Sequence, residues 1–173
     1  AITAITAQHT RGVSAVHVVP ARMIEAHVEA VHDDFRLAAV KIGMLGTARS
    51  VRAVARALQA LRGVPLVLDP VMIASSGARL LAADAVRALR ERLFPLASVI
   101  TPNVPEAEFL LGIRIRDARS QDRAAERLRA AGAAAVLLKG GHLPGRGVRD
   151  LYLDAGGAIA IRHARLARNG HGT

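Results

Sequence analysis

The stretch SVITPNVPEAEFLLG at residues 98–112 joins an apolar strand directly to a helix. β-Branched residues at 99–101 favour a strand over 98–101, and Pro102 interrupts it. Asn103 is a good helix N-cap, and the apolar residues that follow fit a helix over 103–111. A strand that leads straight into a helix is the unit from which α/β sheets are built.

The same alternation extends in both directions from this stretch. Strands are predicted at 1–7, 38–43, 65–69, 98–101 and 135–139, and helices at 20–34, 48–62, 82–93, 103–111 and 120–131. Two further strands, 150–154 and 157–162, meet at Gly156-Gly157 as a hairpin. The pattern predicts an α/β fold with a mostly parallel open sheet and helices on both faces, in one domain over residues 1–173.

Composition narrows the function classes. The net charge of +10 invites a nucleic-acid hypothesis, but 2% aromatic residues leave few platforms for stacking bases. All but two of the 24 basic residues are arginines, and they are scattered along the chain. Cysteine is absent, so a disulfide framework and a thiolate metal site are excluded. No apolar run is long enough to cross a membrane, and we expect a cytoplasmic protein that binds no nucleic acid.

Polar or glycine-rich residues follow five predicted strands. In parallel sheets, ligands bind outside the carboxyl ends of the strands. These ends are Gln8-His9-Thr10, Lys41-Ile42-Gly43-Met44, Asp69-Pro70-Val71-Met72, Thr101-Pro102-Asn103 and Lys139-Gly140-Gly141-His142. They include both lysines of the chain, which suggests sites that need a compact ammonium group.

Each of these residues has a structural alternative. Asn103 and Glu106 have the spacing of a capping box, but the Glu106 carboxylate could also face a magnesium ion beside nucleotide phosphates. The glycines after Lys139 could form only a turn, or could let the backbone approach a phosphate that Lys139 neutralises. Asp69 before Pro70 is either a turn residue or a second carboxylate of the same metal–phosphate site.

Together the motifs resemble hydroxymethylpyrimidine/phosphomethylpyrimidine kinase, a member of the ribokinase-like superfamily. The motifs occur in the order of that family, and they are AITAQHTRGV, KIGMLG, VLDPVM, ITPNVPEAEFLLG, VLLKGGH and NGHGT. The family transfers phosphate from Mg-ATP to a hydroxymethyl aminopyrimidine and then to its monophosphate, in thiamine biosynthesis. The resemblance therefore implies ATP and Mg²⁺ as cofactors and a small-molecule pyrimidine substrate. We also expect a homodimer.

The resemblance also implies roles for individual residues. Gln8 would hold the pyrimidine edge, in a pocket lined by Met44 and Val71. Asp69, Asn103 and Glu106 would belong to the ATP site, with Asp69 and Glu106 also facing the metal. Lys139 would neutralise the transferring phosphate. The catalytic anion hole would begin at Gly172 and Thr173.

The family pattern continues beyond both ends of this sequence. A glycine-rich segment precedes it, and Gly followed by a reactive residue comes after HGT. We therefore expect the 173 residues to be an incomplete and inactive portion of the kinase. The alternatives are a pyridoxal kinase and a non-catalytic remnant that binds a nucleotide.

Overall fold

The computed structural model of the chain describes residues 1–72 and 80–165. Its main sheet has six strands in the order β3-β4-β5-β6-β7-β8. The strands are β3 (Val40–Ile42), β4 (Leu66–Leu68), β5 (Val99–Ile100), β6 (Val136–Leu138), β7 (Gly147–Asp154) and β8 (Gly157–Ala164). The helices are α1 (Ala21–Asp34), α2 (Ala48–Ala57), α3 (Ala83–Arg92), α4 (Val104–Leu111) and α5 (Ala118–Ala130). This architecture confirms the predicted α/β fold.

The strands of the main sheet pair in two ways. β3, β4, β5 and β6 are parallel neighbours, and a helix follows each of β3, β4 and β5 along the chain. β6–β7 and β7–β8 are antiparallel, and the predicted hairpin is confirmed with Asp154 opposite Gly157. Parallel strands need a crossover connection, whereas antiparallel strands can be joined by a tight turn. The lengths of the connections therefore explain where the pairing changes from parallel to antiparallel.

The first strand does not belong to the main sheet, contrary to what the sequence suggested. β1 (Ala4–His9) pairs antiparallel with β2 (Gly12–Val18) as a separate two-stranded ribbon. β2 was missed, although its sequence GVSAVHV alternates with the period of a strand. Only Thr10 and Arg11 separate the two strands. Pairing β1 with β2 therefore costs less loop-closure entropy than pairing β1 with a distant strand.

One face of the main sheet carries the hydrophobic core. Ile42, Leu68, Ile100 and Val136 occupy matching positions on β3–β6 and are at most 6% exposed. They form one cluster with the apolar residues of all five helices. The alternate residues of the central strands, such as Val67, are only half-buried in the described part of the chain. The face that carries Ile42 and Leu68 is therefore the more deeply buried of the two.

Helix boundaries follow local capping chemistry. The Thr47 hydroxyl accepts a hydrogen bond from Ser50 N at the start of α2, and the helix predicted over 48–62 changes to a 3₁₀ turn after Ala57. α4 ends at Gly112, which has the left-handed φ of 64° that favours glycine. None of the helices in residues 1–72 and 80–165 has the length and hydropathy of a membrane span.

Gly140 lies where β7 passes too close for any side chain. A Cβ at this position would stand 1.9 Å from the carbonyl oxygen of Arg149. The Gly140 N–H donates to Asp150 Oδ1 at 2.8 Å, which ties the end of β6 to β7. At Gly141 a Cβ would meet nothing within 4 Å. Close packing of two backbones therefore requires the first glycine of the pair, and the predicted approach of the pair to a phosphate stays a prediction.

We expect Gly140→Ala to lower the free energy of unfolding by about 3 kcal/mol, because the new methyl group forces backbone atoms apart. Gly141→Ala is the matched control, with the same substitution in open space, and should change stability little. Urea unfolding of both variants measures the difference. Equal stability of the two variants would contradict this account of Gly140.

Candidate functional site

Backbone hydrogen bonds bring four chain segments together at the carboxyl edge of the main sheet. Asp69 N donates to Ile42 O just past β4, and Thr101 N donates to Leu68 O just past β5. Lys139 N donates to Pro102 O at 2.9 Å, and Lys139 bridges to Asn103 in parallel register. The residues that follow β4, β5 and β6 therefore lie side by side, as the sequence predicted for these strands.

The carboxylate of Asp69 is the ionic centre of this edge. Its Oδ1 accepts from Lys139 Nζ and its Oδ2 accepts from Lys41 Nζ, each at 3.2 Å. The Asp69 side chain is 20% exposed, so solvent screens both pairs only in part. The two lysines that the sequence singled out thus meet at one carboxylate.

Asn103 and Glu106 form the predicted capping box at the start of α4. Glu106 N donates to Asn103 Oδ1 at 2.9 Å, and Asn103 N donates to Glu106 Oε2 at 2.8 Å. The structural alternative for this pair is therefore confirmed. It does not exclude a second role, because a carboxylate oxygen can accept more than one hydrogen bond.

Glu106 is an unusual capping residue because it is 4% exposed. Burial raises the pKa of its carboxyl group, and the negative charge of Asp69 adds to this effect. The Asn103 N–H and the positive charge of Lys139 act in the opposite direction and lower the pKa. Glu106 therefore interacts electrostatically with both members of the Asp69–Lys139 pair.

Two carboxylates and two ammonium groups at one sheet edge suit a ligand that brings both a cation and anionic oxygens. Across the described ranges 1–72 and 80–165, no group of three or more His, Asp or Glu residues could hold a metal ion by itself. Asp69 and Glu106 fit a magnesium ion that takes its other ligands from phosphates and water. The predicted ATP-site residues Asp69, Asn103, Glu106 and Lys139 are thus brought together.

The three residues predicted for the substrate lie on three segments of the chain. Gln8 is exposed on the β1–β2 ribbon, next to a bulge between Ala7 and Gln8. Met44 is half-buried and lines a groove of about 530 Å³ beside β3, and Val71 lies after β4, outside that groove. Their binding roles stay predictions. Gly172 and Thr173, predicted for the anion hole, lie outside the described residues.

Lys41 is the site residue that sequence reasoning left without a role. Its position at a strand end and the rarity of lysine were visible in the sequence. Its pairing with Asp69, which is 28 residues away, required the register that sets β3 beside β4. No motif spacing encodes that contact.

Comparison with known proteins identifies the family. The family model described as "Phosphomethylpyrimidine kinase" matches residues 1–173. The chain belongs to the phosphomethylpyrimidine kinase family. A member from Rhizobium meliloti, named hydroxymethylpyrimidine/phosphomethylpyrimidine kinase, is 47% identical over 174 residues, which cover 99% of this chain and 65% of that protein. The chain spans between 35% and 65% of the length of several curated relatives that it matches.

Solved structures of this phosphomethylpyrimidine kinase family and its neighbours share the fold. The phosphomethylpyrimidine kinase of Clostridium difficile superposes with a TM-score of 0.82 at 40% identity, over 92% of this chain and 68% of that one. A pyridoxal kinase from Staphylococcus aureus, in complex with AMP-PCP and pyridoxal, gives a TM-score of 0.84 at 28% identity, over 96% and 60%. The ribokinase-like fold predicted from the sequence is therefore confirmed.

The raised pKa of Glu106 predicts a pH-dependent stability. The folded state holds this proton more tightly than the unfolded chain, so the stabilisation is complete below the ordinary glutamate pKa and is lost as pH rises through the raised one. Glu106→Gln keeps an oxygen that can accept from Asn103 N but cannot ionise. We expect the variant to gain stability relative to the wild type as pH rises from the ordinary glutamate pKa, at about 4, toward neutrality.

Thermal or urea unfolding over this pH range measures the difference between the two proteins. Glu29→Gln, at an exposed glutamate of α1, controls for the removal of one negative charge. A stability difference between Glu106→Gln and wild type that stays constant with pH would contradict the prediction.

Proposed function

We propose that the protein carrying this chain is an ATP-dependent kinase of thiamine biosynthesis. It phosphorylates the hydroxymethyl group of an aminopyrimidine and then phosphorylates the resulting monophosphate. The observation that carries the proposal is the convergence of Asp69, Glu106 and Lys139 at one edge of a sheet that has the family's fold. The name of the Rhizobium meliloti relative, hydroxymethylpyrimidine/phosphomethylpyrimidine kinase, includes both the unphosphorylated pyrimidine and its monophosphate.

Lys139 is the residue we assign to the transferring phosphate. In the first step, the acceptor hydroxyl oxygen forms a bond to the γ-phosphorus of ATP, and the bond between that phosphorus and the β–γ bridging oxygen breaks. ADP leaves, and the proton of the hydroxyl group passes to water. Such reactions depend chiefly on positioning and charge stabilisation. The Lys139 side chain is 40% exposed, so its ammonium group can meet phosphate oxygens while the backbone is held by its hydrogen bond to Pro102.

The carboxylates of Asp69 and Glu106 would hold the magnesium ion of the nucleotide, directly or through water. Such an ion neutralises negative charge on the β- and γ-phosphates. Glu106 is held by the capping box, and Asn103 contributes to the ATP site by fixing that carboxylate. Burial raises the pKa of Glu106, and a cation beside this carboxyl group would oppose that effect and favour its ionised form.

Gln8, Met44 and Val71 are proposed to bind the pyrimidine. The Gln8 amide can donate and accept side by side, which matches a ring nitrogen next to an exocyclic amine. Its exposure on the β1–β2 ribbon leaves this amide accessible to a ligand. Met44 and Val71 offer half-buried apolar surface after β3 and β4. We further propose that the protein is a cytoplasmic homodimer.

A pyridoxal kinase is the second candidate, because the Staphylococcus aureus enzyme superposes as well as the Clostridium difficile kinase does. Sequence identity favours the pyrimidine, at 40% against 28% for these two structures. A coupled assay of ADP release by the natural-length protein, with hydroxymethylpyrimidine and pyridoxal as competing acceptors, decides between them. Faster turnover of pyridoxal would overturn the proposed substrate, and no ADP release with either would support a non-catalytic role.

Gln8→Leu in the natural-length protein should weaken use of the pyrimidine by about 1–3 kcal/mol, because the polar edge of the bound ring loses its partner. ATP affinity should stay close to that of the wild type. Steady-state kinetics with each substrate varied in turn measures both effects. Unchanged pyrimidine kinetics would remove Gln8 from the binding site.

Lys139→Ala should lower kcat by about two to three orders of magnitude, because an interaction made mainly in the transition state is lost. Lys139→Arg should restore little of this loss, since a planar guanidinium does not replace a compact ammonium. A melting curve measured beside kcat separates catalysis from folding. A Lys139→Ala protein with a lower Tm and a full kcat per folded molecule would refute the catalytic role.

A further inference from the structure

Lys41 pairs with the same carboxylate as Lys139, and the proposed function gives it no role. We infer that Lys41 is a positioning residue: by sharing Asp69, it weakens the hold of that carboxylate on Lys139 and lets Lys139 turn toward the phosphate. The inference rests on the proposed function, since it concerns the same site. Lys41 would act through Asp69 and would not contact the substrate.

The register of the sheet supports this arrangement. Lys41 lies opposite Val67 in the β3–β4 pairing, and Asp69 follows two residues later, so that Lys41 and Asp69 face the same side of the sheet. Ile42, the neighbour of Lys41 on the strand, is buried in the core on the other side. The backbone of Lys41 is therefore fixed while its side chain, 66% exposed, reaches Asp69 Oδ2.

The charges of the three residues do not balance. Two ammonium groups against one carboxylate leave one positive charge, and each ammonium holds its own carboxylate oxygen at 3.2 Å. When Lys139 turns toward a phosphate, Lys41 remains on Oδ2, so that Asp69 keeps a cation. Without Lys41, Asp69 would keep Lys139 as its one partner among these lysines, so its hold on Lys139 would be stronger.

Two features distinguish this role from ordinary surface pairing. An ion pair as exposed as that of Lys41 adds little to stability, so loss of Lys41 should leave the Tm nearly unchanged. Its partner Asp69 is 20% exposed, however, and also influences the pKa of the buried Glu106. Loss of the Lys41 side chain should therefore change the reactivity of Lys139 and lower kcat, with little effect on stability.

The test uses the natural-length protein with Lys41→Met. We expect kcat to fall about tenfold, in the range seen for residues that share one ionic network, with a smaller change in the KM for the pyrimidine. Lys41→Arg should restore most of the kcat, because a cation at Asp69 Oδ2 is sufficient. In an Asp69→Asn background, Lys41→Met should cause no further loss. Arg56→Met breaks an exposed ion pair with Glu25 and is the matched control.

A second measurement does not depend on kinase activity. Lys41→Met should slow the acylation of Lys139 by an amine-reactive reagent about threefold, because the ammonium is held more tightly. Asp69→Asn should accelerate it. Peptide mass spectrometry reads the modification at Lys139 directly, since the chain contains one other lysine, Lys41.

The outcomes separate this inference from the proposed function. Absence of ADP release by the wild type would overturn the kinase proposal, and slower Lys139 labelling in Lys41→Met would still support the shared carboxylate. Unchanged labelling together with a full kcat in Lys41→Met would overturn the role of Lys41. An equal loss of kcat from Lys41→Met in wild-type and Asp69→Asn backgrounds would instead show a direct contact with substrate, and would also overturn it.

Discussion

The parallel pairing of β3, β4, β5 and β6 is the constraint on which the site depends. Parallel strands present their carboxyl ends at one edge of the sheet, so residues far apart in sequence become neighbours there. Asp69 and Lys139 are 70 residues apart and form an ion pair because β4 and β6 flank β5. The buried face, which contains Leu68 and Ile100, holds this register, because a slip of one residue would turn these side chains out of the core.

The same residues serve structure and candidate chemistry at this edge. Glu106 completes the capping box of α4. Burial raises the pKa of its carboxyl group, which also feels the charges of Asp69 and Lys139. Gly140 is required by the close passage of β7, and the bond from its N–H to Asp150 fixes the segment that follows Lys139. Hydrogen bonds hold the backbone on both sides of Lys139 while its side chain is 40% exposed, which suits a group that has to meet a transferring phosphate.

Family membership and residue roles are supported to different degrees. The match of the family model over the whole chain and the 47% identity to a kinase establish the family. The ATP-site residues are supported by their convergence in space. The residues proposed for the pyrimidine are divided, because Gln8 is exposed on the separate ribbon whereas Met44 and Val71 follow the neighbouring strands β3 and β4. The binding roles of Gln8, Met44 and Val71 therefore stay predictions.

The sequence by itself determined the alternation of strands and helices, the capping box of Asn103 and Glu106, and the β7–β8 hairpin, because each depends on contacts between residues close in the chain. It also indicated the strand ends where the site lies. Only the tertiary structure decided that β1 leaves the main sheet to pair with β2, that Gly140 packs against β7, and that one carboxylate holds both lysines. These features depend on strand order and register over long separations, and local propensity carries no information about either.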